Sequence, residues 1–371
     1  MTALGQLREE LSRLKDIDRI LVASIVPLLL VGVLSVYSAL AGKGALAMDM
    51  ALKQAAWCVL GALAFSIAFA FGYERTFKYA FWIYGGVLLS LVAVLVMGYT
   101  AKGATSWFDF GAFRFQPSEL AKLALSIALA VFLCRYPPKD LANISGVLLL
   151  SSLVVVPVLL QPDLGGVIVY AFMIFVALIL AGMPRKYILL LAGIALLSLP
   201  VGWSLLKEYQ KLRMLVFLNP SIDPLGAGYN VIQSRIAVGA GGFFGKGFLQ
   251  GTQSRLHFLP EAHTDFVFSV FSEEFGFAGA SLVLALFAIL LWRMLRTAAR
   301  SGDPRARILV GAVSAWIWFQ LFENIAMAVG IAPVTGLALP FVSYGGTALV
   351  TLCLGVGMLM SIQRHRRRVG T

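Results

Sequence analysis

The sequence predicts an all-α polytopic integral membrane protein, with about ten transmembrane helices and a long extracytoplasmic loop between helices 7 and 8. Three observations carry that expectation. The 371 residues are 60% hydrophobic and 13% charged, with a mean hydropathy of +0.87, whereas a soluble domain is nearer one quarter charged. Apolar stretches of spanning length recur at 20–40, 52–71, 79–98, 117–134, 141–160, 164–182, 187–206, 266–292, 308–330 and 343–362. Basic residues gather at alternate ends of those stretches. The whole length, 1–371, reads as a single membrane domain.

The N-terminal stretch is polar and charged, and no A-x-A site follows the first apolar run, so that run is expected to stay as a span rather than act as a cleaved signal. An even number of spans puts both termini on one side. Arg8, Arg13, Lys15 and Arg19 precede the first span, and Arg364, Arg366, Arg367 and Arg368 follow the last. Arg75, Lys78, Arg135, Lys139, Arg185, Lys186 and the five arginines from Arg293 to Arg307 occupy short loops on the same side. The positive-inside rule makes that side the cytoplasm. Most of the net charge of +12 is therefore topology signal, and no nucleic-acid partner is expected. Cys58, Cys134 and Cys353 lie in apolar runs without metal-ligand spacing, as small packing residues.

The fourth span opens with QPSELAK (116–122) and the sixth with QPDLGG (161–166), a short echo. Pro with Ser118 or Asp163 makes a helix-start signal, and both helix N-termini open outward, where their dipoles favour anions. Glu119 and Lys122 stand at i, i+3 and share one helix face. Charges there pair or line a cavity. Arg114, just upstream, offers a fork for a phosphate.

The outer loop, 207–264, carries Lys207, Lys211, Arg213, Arg235, Lys246 and Arg255. Long loops are commonly functional. Its VGAGGFFGKGF stretch (238–248) reads in two ways: a backbone cradle for an anion, or glycines that permit tight packing.

LPEAHTDFVFSVFSEEFG (259–276) leads from that loop into the eighth span. Asp265, after His263 and Thr264, can accept a hydroxyl proton or hold a divalent cation; equally, it can cap the helix. Glu273 and Glu274 sit deeper, and at least one is expected to pair with a buried base or to bond across helices. The last two spans are joined by APVTGLALPFVSYGGT (332–347), whose glycines and prolines predict a broken or re-entrant segment buried in protein. Ser343 and Tyr344 offer hydroxyls there, and a transporter's broken helix would look the same.

Taken together, KGATSWFDFGAFRFQPSELAKL, QPDLGG, DPLGAGYNVIQSRIAVGAGGFFGKGF, FLPEAHTDFVFSVFSEEFG and PVTGLALPFVSYGGT resemble the SEDS (shape, elongation, division, sporulation) family, in order from the first span to the tenth. GKGFLQGTQS places the resemblance nearest the elongation branch, RodA. It implies a ten-helix peptidoglycan glycosyltransferase of the bacterial inner membrane that polymerises lipid II during cell elongation. The acceptor's 4-hydroxyl would attack the donor's anomeric carbon with inversion, and undecaprenyl diphosphate would leave, on the outer face.

The family's essential aspartate matches Asp265, as base or cation ligand. Its functional Glu and Lys match Glu119 and Lys122, and its preceding arginine matches Arg114. Arg213, Arg235, His263 and Ser343 complete the expected substrate-binding set. The expected partners are a class B penicillin-binding protein and other elongation-complex membrane proteins. No organic cofactor is implied, and a divalent cation, Mg or Mn, is compatible. Two departures stand out: GAGG at 239–242 where many members read GSGG, and Lys211 where RodA sequences often have Arg. From other functional classes, a lipid II flippase would use the same charged cavity and the same broken segment, and a non-catalytic scaffold would recruit the transpeptidase without chemistry of its own.

Overall fold

A computed structural model describes residues 18–101, 104–111, 113–256 and 258–369. Arg8, Arg13 and Lys15, and the side chains of Arg366, Arg367 and Arg368, all expected on the cytoplasmic side, lie outside the described residues.

Among the described residues, ten apolar helices coincide with the ten expected spans, nine of them 18 residues or longer and one of 17. They are α1 (Arg19–Ala39), α2 (Ala45–Phe71), α4 (Ala80–Met97), α5 (Pro117–Arg135), α6 (Leu141–Leu160), α7 (Leu164–Leu180), α8 (Arg185–Leu205), α12 (Val267–Arg300), α13 (Pro304–Val329) and α14 (Gly346–Val369). A six-residue helix, α3 (Tyr73–Lys78), turns the chain after α2. Two spans outrun their apolar cores. At its start α2 carries an Asp49–Lys53 ion pair at i, i+4, and α12 continues through Arg293, Arg296 and Arg300. Helices continue past the bilayer when polar side chains solvate the extra turns.

The bundle's centre is α5, α13 and α14. About three quarters of each of these spans is buried in protein, against a third or less for most of the others. Small residues make this possible: Ala121, Ala124, Ala128 and Ala130 on α5, and Gly311, Ala312 and Ala315 on α13, let backbones approach. At the other extreme, none of α8 through Ser204 is buried.

At the end of the bundle where α1 begins, Asp18 caps that helix, accepting from the amides of Ile20 and Leu21. It also accepts from Arg293 Nε at 2.7 Å and from Gln363 Nε2 at 3.2 Å, which joins α1, α12 and α14. Burial pushes the Asp18 carboxyl up, but Arg293 and the cap amides outweigh it and hold the group below its usual range.

The all-α expectation holds, with one small addition between α4 and α5: β1 (Tyr99–Ala101), β2 (Ala104–Asp109) and β3 (Arg114–Phe115) form an antiparallel sheet, in that spatial order. Thr100 pairs with Thr105, and Phe108 with Phe115. These β-branched and aromatic residues favour strands, a signal masked in sequence by the apolar runs on either side.

The long loop, 207–264, is itself largely helical: α9 (Glu208–Leu218), α10 (Ala227–Ala240) and α11 (Thr252–Arg255). Its glycines resolve to the packing alternative. The eighth span is broken at Gly276 (φ 64°, ψ −162°), which frees amides and carbonyls on either side. Loop backbone fills the break. Lys246 N donates to Glu273 O (3.0 Å) and Gly247 N to Glu274 O (2.9 Å); Phe277 N and Ala278 N donate to Gly242 O and Phe243 O. A Cβ at Gly241 would stand 2.0 Å from the Ser272 carbonyl, and one at Gly245 2.0 Å from that of Glu274. Only glycine permits that approach. The 331–345 connection is irregular, as the broken segment was expected to be, and it is buried from Leu339 to Ser343.

Candidate active site

Asp265 sits where the outer loop becomes α12. Glu261 takes a left-handed conformation (φ 52°), and its carbonyl accepts from the amides of Thr264 (3.2 Å) and Asp265 (3.0 Å), which winds the chain into the helix. Phe266, rather than Asp265, holds the N-cap position, and it makes no side-chain cap bond.

The backbone here is fixed from α13 and from the connection between α13 and α14. Tyr344 N donates to His263 O at 3.0 Å, Ser343 Oγ to Thr264 O at 2.5 Å, and Asn324 Nδ2 to Asp265 O at 2.8 Å. Three consecutive carbonyls are thus held. Asp265 is half-buried, and its Oδ2 would be 3.5 Å from a Cβ on Gly336. The bare glycine backbone (φ 78°) therefore lies directly beside the carboxylate.

The second cluster lies at the N-termini of α5 and α7. Lys122 Nζ donates to Glu119 Oε1 at 2.6 Å, and the two side chains are 2% and 12% exposed. A pair this buried is costly unless its geometry is good, and here the lysine also lies 5.4 Å from the Trp316 ring centroid. Asp163 caps α7, accepting from Gly166 N at 2.8 Å, within electrostatic reach of both Lys122 and Glu119. Burial pushes its carboxyl up, against the pull of the Gly166 amide and Lys122. In the echo motif Ser118 departs from expectation. The cap position falls on Gln116, and the Ser118 hydroxyl makes no cap bond, because Pro117 already starts the helix.

Residues 335–337 stand between the two clusters. Gly165 of α7 packs against Thr335 and Leu337, where a Cβ would stand 3.2 Å from each, while Gly336 faces Asp265. Thr335 Oγ1 donates to Glu323 Oε1 at 3.0 Å. One short segment thus walls both Asp265 and the α7 N-terminus beside Lys122.

The remaining expected residues divide. Arg213 Nη1 reaches Val334 O at 3.4 Å, and Arg235 lies over Gly330, so both basic groups border this connection. His263 is half-buried, with its ring 5.9 Å from that of Tyr344. Arg114 bonds to Asp109 at 3.1 Å and stacks on Tyr99 at 4.7 Å, held on the sheet by local partners. Ser343, expected to bind substrate, is buried, and its hydroxyl donates to Thr264 O while accepting from Leu339 N; it serves as a pin.

The two deeper glutamates find their partners. Glu273 accepts from Lys246 Nζ (2.7 Å), from Thr252 N (2.8 Å) and Oγ1 (2.9 Å), and from Gln253 N (3.1 Å). Glu274 accepts from Leu249 N (3.0 Å) and from Ser38 Oγ of α1. Sequence reasoning missed Asn324, Thr335 and Trp316. Of these, Asn324 stands with Gln320 and Glu323 in the ninth span, and that polar cluster within a span is the one sequence signal, though it names no partner. Among the described residues, no group of three or more His, Cys, Asp or Glu is placed to hold a metal.

Comparison with known proteins agrees over nearly the whole length. Residues 19–368 match the family model FtsW/RodA/SpoVE, described as cell cycle protein. The chain is 44% identical over 282 residues to peptidoglycan glycosyltransferase MrdB of Escherichia coli (strain K12), covering 76% of each. It is 36% identical to stage V sporulation protein E of Bacillus subtilis (strain 168), covering 94% of this chain and 98% of that one. Among solved structures, a chain from work on the structural coordination of polymerization and crosslinking by a peptidoglycan synthase complex superposes with a TM-score of 0.80. That chain is 36% identical, with 94% of this chain and 98% of that one covered. Thermus thermophilus rod shape determining protein RodA gives 0.72 at 32% identity, covering 94% and 97%.

Proposed function

The chain belongs to the FtsW/RodA/SpoVE family of cell cycle proteins, and on that premise we propose that it is a peptidoglycan glycosyltransferase that polymerises lipid II during cell elongation. The observation that supports this most is the placing of Asp265. The backbone around it is held at three successive carbonyls, while the half-buried Asp265 carboxylate lies beside the exposed Gly336 backbone.

In the reaction, the acceptor's 4-hydroxyl oxygen forms the new bond to the donor's anomeric carbon, from the face opposite the diphosphate. The bond from that carbon to the diphosphate oxygen breaks, and undecaprenyl diphosphate leaves with the electron pair. Asp265 takes the hydroxyl proton as general base. Lys122, held by Glu119, and the N-terminus of α7 supply positive potential where charge grows on the leaving group. Arg213 and Arg235 extend that potential along the rim. Asp265 can also offer one oxygen to a Mg or Mn ion otherwise held by diphosphate oxygens, the usual mode for such ions; the ion would neutralise the leaving group.

The protein is an integral membrane protein. Both termini lie in the cytoplasm and the site faces outward, a reading supported by the basic inner loops. The partner is a class B penicillin-binding protein, working with other membrane proteins of the elongation complex. Incubating the purified protein and its transpeptidase with labelled lipid II tests the assignment. Glycan oligomers are expected; transport across liposomes without polymer, or neither activity, would overturn it.

A further inference from the structure

Where α2 turns into α3, at the end of the bundle away from Asp265, an open cavity of about 190 Å³ lies against the last helix. The turn contributes Gly72, Glu74 and Arg75, and α14 contributes Ser361, Arg364 and His365. The walls are fixed, because Ser361 Oγ accepts from Tyr73 N at 3.0 Å and donates to Met358 O at 2.7 Å. The lining is basic on balance. Glu74 is its single carboxylate, largely exposed and 3.5 Å from His365 Nε2. Arg75 is exposed, and the Arg364 guanidinium lies 4.6 Å from the Phe69 ring centroid. Gly72 has a φ of 84°, and a Cβ there would stand 3.9 Å from Arg364 Nη2. The missing side chain leaves the cavity wall low between the turn and that guanidinium.

A second observation specifies the occupant. From the cavity an apolar row climbs α2 at helical spacing: Phe71, Ile67, Leu63 and Leu60, each between 42% and 66% exposed. Eleven residues of helix cover about 16 Å, roughly the depth of one leaflet of a ~30 Å hydrocarbon core. A basic cavity at the membrane boundary joined to an apolar track one leaflet deep has the shape and polarity of a phospholipid. A free phosphate ion would use the cavity and leave the track idle.

We propose that this cavity holds the headgroup of an anionic phospholipid, with its phosphodiester facing Arg75 and Arg364 and one acyl chain along the Phe71–Leu60 row. Basic pockets between helices on the cytoplasmic side suit such headgroups.

The test uses the full chain in mixed micelles containing phosphatidylglycerol, cardiolipin or phosphatidylcholine, with bound lipid counted by native mass spectrometry. Both anionic lipids are expected to be retained at least tenfold more strongly than phosphatidylcholine. Arg75→Ala with Arg364→Ala should reduce that retention about 30-fold, the equivalent of about 1 kcal/mol per basic group. Arg75 is exposed, so Arg75→Glu alone keeps the test decisive if the double variant folds poorly. Lipid II polymerisation, read at the opposite face, serves as the folding control. Equal retention of all three lipids, unchanged retention in the variants, or displacement of phosphatidylglycerol by an equal concentration of inorganic phosphate would overturn the proposal.

Discussion

Asn324 donates from Nδ2 to the main-chain carbonyl of Asp265 at 2.8 Å, from a position with no exposed surface. The same nitrogen donates to Leu337 O at 2.8 Å. One amide in α13 therefore sets both the residue expected to act as base and the segment whose Gly336 lies beside its carboxylate. Fixing both at once holds the distance between them.

Asn324→Ala is expected to lower kcat by about 10- to 100-fold with little change in KM, since misplacing a reacting group by about 1 Å costs up to that much. Steady-state polymerisation of labelled lipid II separates the two constants. A rise in KM with kcat unchanged would instead place Asn324 in substrate binding.

Asp265→Asn keeps the size of the side chain and removes its basicity. Polymerisation should fall by about 10²- to 10⁴-fold, the usual worth of a positioned base, while the folded yield stays at the parent level. Normal glycan synthesis by the Asn variant would remove Asp265 from the chemistry.

Lys122→Ala leaves Glu119 buried without its partner and should cost about 3 kcal/mol of stability, visible as a lower apparent Tm. The variant should also lose turnover. Glu119→Ala with Lys122→Ala should recover stability but not activity. Recovery of both would make the pair structural only.

Gly245→Ala places a Cβ 2.0 Å from the Glu274 carbonyl, in a left-handed conformation with φ 82°. The expected cost is about 3 kcal/mol. Thermal unfolding in detergent checks it, and Gly239→Ala, where no atom lies within 4 Å of the new Cβ, is the neutral control.

Asp18 carries a pH dependence. Its folded carboxyl sits below the usual value of 3.8, so its contribution is complete above that value and is lost as the pH falls through the folded one. At neutral pH Asp18→Asn should be less stable by about 3 kcal/mol, because Arg293 loses its partner. The gap between the two proteins in apparent Tm should close as the pH drops below about 4.

The ten spans were legible because a run of about 20 apolar residues has few alternatives in a membrane protein. Asp265, Glu119 and Lys122 were legible for the same reason, as charges set into such runs. The partners were not. Glu274 meets Ser38 across 236 positions of sequence, and Lys246 meets Glu273 through a loop whose glycines left an anion cradle and tight packing equally open. Asn324 looks like any polar residue in a helix until Asp265, 59 positions away, is placed beside it. Ser343 showed the converse: a hydroxyl in a promising segment whose bonding capacity is spent on its own backbone.

The break at Gly276 also has a practical consequence. Four amide-to-carbonyl bonds there run between span and loop. An affinity tag, a reporter or a proteolytic site inserted between 241 and 247 would therefore strip the eighth span of bonds it cannot replace from within. The turn at Gly302, between Arg300 and Pro304, has open space around it. It is the better place to cut or label this chain.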